Sequence, residues 1–201
     1  MRREAENDPA AGAAATALFQ EFSGEPIEHT AVDLAPETGC LACPLGRDYL
    51  SGWGRLDVTA AIESLDEHLP LRDAFEANDD AGSRAFDLSG DARDRDRRIK
   101  ATVDFWDDQD DVYAIKLRKN QRVYIGLTGD DASDDLNLAL WSPSTRSIDD
   151  VRSARRRVRV SARPGAREYF SYRAPKAGRY FVQVRMSSPG AVRYRLAIVK
   201  S

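Results

Sequence analysis

Histidine and cysteine are both scarce here: His29 and His68 are the only histidines in 201 residues, and Cys40 and Cys43 the only cysteines. A zinc site built on Cys40-x-x-Cys43 would need two further ligands, and only those two histidines are on offer. The chain also lacks an excess of charge of one sign. Its 30 Lys and Arg nearly balance 33 Asp and Glu, for a net charge of −3, which excludes a nucleic-acid binder driven by bulk electrostatics. No apolar run approaches the roughly 20 residues that cross a bilayer as a helix, so no membrane partner is expected. A secretory leader is not recognised either: Glu4, Glu6 and Asp8 interrupt the start, and the Ala-rich stretch Ala10–Leu18 is only mildly apolar.

What is present suits a globular fold, with 42% hydrophobic and 31% charged residues. The Cys40–Cys43 pair lies in a Gly- and Pro-containing stretch that reads as a loop. A small structural disulfide is the preferred reading, with a reduced pair and a metal or redox site as alternatives. The chain divides near Leu69-Pro70, giving a piece over 1–69 and a larger one over 70–201. In the first, Gly54–Leu65 reads as a helix with Asp57 as N-cap, and residues 5–22 suggest another. The second turns to period two. Ile99–Phe105, Val112–Leu117, Val123–Leu127, the alternation Leu136, Leu138, Leu140, then Arg157–Ser161, Glu168–Arg173, Tyr180–Met186 and Val192–Ile198 are strand candidates. Lys119-Asn120 is expected to connect a hairpin. One apolar face per strand needs a facing sheet, so the expected fold is mainly β, an antiparallel β-sandwich of jelly-roll type after a short helical segment.

Two stretches resemble parts of a known architecture. Thr30-Ala-Val-Asp-Leu34, a loop, then Ser51-Gly-Trp-Gly-Arg-Leu-Asp-Val-Thr-Ala-Ala61 resemble the end of the catalytic domain in subtilisin-like serine proteases. In that family a Gly-x-Gly turn launches the last helix and an acidic residue caps it. Residues 72 to 201 resemble the pre-peptidase C-terminal domain. The matching segments are Phe75-Glu-Ala-Asn-Asp-Asp80, Asp110–Leu117, Asn120-Gln-Arg-Val123, Asp135–Leu138 and Ala177–Val182. The usual Glu-Pro-Asn-Asp is Glu76-Ala-Asn-Asp here.

The resemblance implies a non-catalytic C-terminal portion of a secreted subtilisin-like endopeptidase, following a remnant of its α/β domain. The protease domain would then be the partner that precedes it, with a protein or cell-wall substrate and an extracellular location. None of the family's Asp-x-Gly, His-Gly-x-His or Gly-Thr-Ser-x-Ala-x-Pro motifs occurs, so no catalytic residue is expected. A free-standing binding module, using calcium or not, is the alternative.

Glu76, Asn78, Asp79 and Asp80 cluster before the strands, and a second acidic run precedes Val112, of which Asp108 and Asp111 are favoured as ligands. Calcium takes six to eight oxygens, which two adjacent loops can supply, and some members of the resembled domain family bind it through the corresponding acids. The competing reading is that these acids cap turns and keep an edge soluble. Arg155, Arg157 and Arg159 are expected on one strand face, either solvated or touching an acidic polymer. Trp106, Tyr124, Trp141 and Tyr172 are candidate contact aromatics, at least half of them core.

Overall fold

The computed structural model describes residues 30–34, 40, 41, 43, 45–63, 73–89, 96–105 and 108–201. Among these residues one helix, α1 (Val58–Glu63), precedes nine strands: β1 (Phe86–Asp87), β2 (Asp96–Asp104), β3 (Asp110–Leu117), β4 (Arg122–Gly129), β5 (Leu136–Trp141), β6 (Arg157–Ser161), β7 (Arg167–Arg173), β8 (Gly178–Met186) and β9 (Ala191–Lys200). They form two sheets, ordered β1-β3-β8-β5-β6 and β2-β9-β4-β7. Every pairing is antiparallel except the short parallel contact of β1 with β3. The fold is the expected β-sandwich.

Alternation explains the sandwich. Tyr113, Ile115 and Leu117 of β3, Leu136, Leu138 and Leu140 of β5, and Tyr180, Val182, Val184 and Met186 of β8 all join the core between the sheets. From the other sheet come Ile99, Ala101 and Val103, then Val123, Ile125 and Leu127, and Val192, Tyr194, Leu196 and Ile198. Side chains two apart share a face, so each strand commits one row to this layer.

The five-stranded sheet departs from the expectation of one buried face per strand. Ala81, Ala85 and Ile148, from two loops, pack on Val112, Ala114, Ala139, Trp141 and Phe181 of its outer face. β3 and β8 are therefore buried on both sides over most of their length.

All eight strand candidates are strands; β1, two residues long, carries no periodic signal. The Lys119-Asn120 expectation needs correcting. Asn120 does adopt a positive φ of 66° in a turn closed by Gln121 N–H to Arg118 C=O, but β3 and β4 lie in different sheets. The turn is a crossing from sheet to sheet, because the inner rows of both strands face the same core. Arg155 sits in a 3-10 turn, Ser153–Arg156, and the β5–β6 register shifts between Leu140 and Trp141. The extra residue breaks the period, so the three arginines do not form a stripe.

The helix starts later than expected, at Val58, and Asp57 caps it: its Oδ1 accepts Ala60 N–H at 3.0 Å. Val32 and Arg55 pair as an isolated antiparallel bridge, and Gly54 (φ 108°) lets the backbone pass so close that a Cβ there would lie 2.2 Å from Val32 O. Cys40 and Cys43 are joined as a disulfide. The candidate helix over 5–22, His29, His68 and Trp106 lie outside the described residues.

Segment 46–48 docks on the sandwich. Arg47 N–H donates to Gln109 Oε1 (2.8 Å), Arg185 Nη2 donates to Arg47 C=O (2.9 Å), and Arg47 pairs with Asp149 at 3.0 Å.

Candidate metal centre

At one pole of the sandwich, the loop before β1 meets the start of β3. The inner row of β3 runs Leu117, Ile115, Tyr113 and then Asp111, so the period that buries three apolar side chains also buries a carboxylate. Asp111 is fully buried and Asp108, just upstream, is 6% exposed. The loop returns to this pole because Asn78 C=O accepts Val112 N–H at 2.7 Å. Asp73 anchors it from the other side, its carboxylate accepting Phe75 N–H at 2.7 Å and Thr102 N–H of β2 at 2.8 Å.

Carboxylates converge there as two overlapping triads, Asp73, Glu76, Asp111 and Glu76, Asp79, Asp108, with one oxygen of each member within 4.8 Å of the others. Glu76 belongs to both. One oxygen each of Glu76, Asp108 and Asp111 is buried without a hydrogen-bond partner, and so are both polar atoms of the Asn78 side chain, itself fully buried. Asn78 lies against Asp111 and Tyr113. Buried polar groups left this way are costly, and their concentration at one point marks it as a seat for something that binds oxygen.

Electrostatics concur. Burial, followed by the charges of Asp111 and Glu76, pushes the Asp108 carboxyl up to about 11. Burial raises Glu76, and it lifts Asp111 well above the usual range although Tyr194 hydrogen-bonds it. Asp108 thus holds a proton at neutral pH in the absence of a cation, and burial favours the protonated form at Glu76 and Asp111 as well. The donor set is all oxygen: the only cysteines are in a disulfide, and no histidine is among the described residues. Hard oxygen ligands from a loop and an adjacent strand start suit calcium and not the softer metals.

Of the six residues singled out from the sequence, Glu76, Asn78, Asp79, Asp108 and Asp111 come together. Asp80 does not join them: its Oδ1 accepts Ala81 and Ile148 N–H, both at 2.7 Å, stapling the two loops over the five-stranded sheet. Asp73 was missed. It sits three residues ahead of Glu76 outside the acidic run, and only its bond to Thr102 brings it in. Asp110, from the pre-strand run, points to the opposite face and pairs with Arg185 at 2.8 Å. Of the candidate contact aromatics, Tyr124 is exposed and Trp141 buried, while Tyr172 packs on the core. With no histidine among the described residues, no Ser-His-Asp arrangement occurs there.

The chain matches no protein-family model and no curated protein. Several solved structures resemble it. A periplasmic inhibitor of g-type lysozyme from Aeromonas hydrophila is 14% identical, with a TM-score of 0.45, over 57% of this chain and 94% of that one. The pre-peptidase C-terminal domain of a Bacillus anthracis collagenase is 18% identical, with a TM-score of 0.41, over 52% and 89%. CorA of Methylomicrobium album BG8, a surface-associated copper-binding protein, is 10% identical, with a TM-score of 0.40, over 58% and 98%. These likenesses are of fold alone.

Proposed function

We propose that this chain is a non-catalytic, extracellular β-sandwich binding module, with calcium held at the Glu76 pole. The observation that carries the calcium reading is the pair of carboxylate triads sharing Glu76, in which Glu76, Asp108 and Asp111 each bury an oxygen without a hydrogen bond, with the fully buried Asn78 beside them. Glu76, Asn78, Asp108 and Asp111 would hold the ion, with Asp73 and Asp79 completing the oxygen shell. Bound calcium would supply positive charge in place of protons and tie the loop to β3. The Cys40–Cys43 disulfide supports an oxidising, extracellular setting.

Thermal melting of EDTA-treated protein tests this. Calcium at about a hundredfold over its dissociation constant should stabilise by about 2.7 kcal/mol, and Asn78→Ala should lose most of that gain. An unchanged melting temperature, with no heat of binding on titration, would sink the calcium reading.

The parent architecture we propose is that of a subtilisin-like serine endopeptidase, with this chain as its C-terminal portion. The motif residues support it, as do the Gly54 close approach and the Asp57 cap. An antibody against the sandwich, used on cell and secreted fractions, checks it: a secreted species much longer than 201 residues is expected. A secreted species of this length alone would favour the free-standing module.

A further inference from the structure

Loops cover much of the outer face of the five-stranded sheet, whereas among the described residues no segment packs over the outward rows of the four-stranded sheet, which are mostly exposed. β2 presents Arg98 and Lys100 there, and β9 presents Arg193 and Arg195. From β4 comes Arg122, and from β7 come Arg167 and Arg173. All are exposed. The register sets them side by side: Lys100 lies opposite Arg195, Arg122 opposite Arg173, and Thr128 has Arg195 on one flank and Arg167 on the other. Strands are about 4.8 Å apart and alternate residues about 7 Å apart, so the cations form a grid.

Like charges placed directly opposite each other oppose folding. Yet among the described residues only Arg195 of this set has an ion pair, with Asp130 at 3.0 Å. Asp96 and Asp104, at the two ends of β2, are the other acids on these outward rows. The chain as a whole is net acidic at −3, so the basic charge of this face is segregated and not a reflection of composition.

At the centre of the grid the floor drops. Gly126 pairs with Ala197 on one side and with Tyr169 on the other. Tyr169 is 68% exposed and Tyr124, two residues before Gly126, 46% exposed. A Cβ built on Gly126 would meet nothing within 4 Å, so no neighbouring atom requires glycine there, although glycine weakens a strand. Its effect is a shallow seat between two tyrosine rings. Arg163 stacks over Tyr169 at 4.7 Å and extends the basic rim.

We propose that this face binds an acidic polysaccharide, with its carboxylates or sulfates on the arginine grid and a sugar ring seated on Gly126 and Ala197 between Tyr124 and Tyr169. The proposal deepens the binding-module reading by naming the surface and the partner class. A repeating anion matches a two-dimensional grid of cations, and a sugar's apolar ring face matches an aromatic flank. The Cys40–Cys43 disulfide points to an extracellular setting, and among extracellular polyanions an acidic polysaccharide offers both the repeating charge and the apolar ring face that this surface matches.

The test is calorimetric titration of the full chain, with calcium present, against heparin and polygalacturonate. Binding is expected in about 50 mM salt and should weaken steeply as salt rises. The double variants Arg98→Glu/Lys100→Glu and Arg122→Glu/Arg173→Glu should each lose about tenfold or more in affinity. Tyr169→Ala and Gly126→Val should weaken binding without altering its salt dependence. Heparin binding alone assigns sulfate, polygalacturonate binding alone assigns carboxylate, and either supports the proposal. It is overturned if neither polymer binds, or if Arg155→Glu/Arg159→Glu, with the same charge change off this face, costs as much. Tighter binding of single-stranded DNA or of phosphatidylglycerol vesicles also overturns it. The calcium reading fails separately: the sheet-face variants should keep the calcium-induced melting shift, and Asn78→Ala should keep polymer binding.

Discussion

Tyr194, on β9 of the four-stranded sheet, donates its hydroxyl to the buried carboxylate of Asp111 on β3 of the other sheet. The Tyr113 hydroxyl lies 2.7 Å from that of Tyr194 and 3.4 Å from Asp111. A polar bridge thus crosses an apolar core, and it ends on the carboxylate whose other oxygen is proposed to face the cation.

Removing the donor should act at both ends of the bridge. Tyr194→Phe leaves Asp111 buried with less compensation and should cost about 1–3 kcal/mol in urea unfolding. Calcium affinity should fall as well, because Asp111 loses the partner that orients it. A variant with reduced stability and unchanged calcium affinity would show that the tyrosine serves the core alone.

Glu76 and Asp79 should differ in weight. Glu76 belongs to both triads, whereas Asp79 already shares its carboxylate with Arg84 at 3.0 Å. Glu76→Gln should therefore weaken calcium binding about a hundredfold and Asp79→Asn about tenfold. Isothermal titration measures both.

Metal-free protein should become less stable as pH rises. Asp108 is held up to about 11, and Glu76 and Asp111 are also raised. The folded state thus binds more protons than the unfolded state, whose carboxyls titrate near 4. Stability is then greatest below about pH 4 for these groups and declines through neutrality towards the folded values. In EDTA the melting temperature should be lower at about pH 8 than at about pH 5.5, and saturating calcium should flatten or reverse that slope. Scanning calorimetry at the two pH values checks the sign.

Two glycines in one strand should answer differently to the same change. A Cβ on Gly129 would lie 2.9 Å from the Ala166 Cβ and 3.1 Å from Leu136 Cδ1, whereas Gly126 has open space. Gly129→Ala should lose about 1–3 kcal/mol by overpacking, while Gly126→Ala should be neutral or stabilising. For comparison, Leu138→Ala in the centre of the core should cost about 2–5 kcal/mol. Equilibrium denaturation orders the three.

The strands were legible because period two is enforced wherever one face is buried, and Leu136, Leu138 and Leu140 carry that signal unaided. Their partners were not. Lys119-Asn120 has hairpin chemistry, but turn residues dictate only that the chain reverses, not which sheet receives it. The arginine row at 155–159 failed because a register shift is invisible in a periodic pattern. At the metal centre, the acids close to a strand start were readable as a group. Asp80 was lost to a hydrogen bond with Ile148, far off in sequence, and Asp73 was gained by one with Thr102. The Arg98, Arg195 and Arg173 neighbourhood was equally hidden, since no single strand holds more than two of its cations on that face.

The placement of β9 also governs how the molecule can be made. That strand lies inside the four-stranded sheet, between β2 and β4, yet it is the last of the nine to leave the ribosome. Until residue 200 has been synthesised, β2 and β4 have no common neighbour and the apolar layer stays open. Contacts between segments so distant along the chain form slowly. A nascent chain with this wiring can complete neither the four-stranded sheet nor the core beneath it until β9 has emerged.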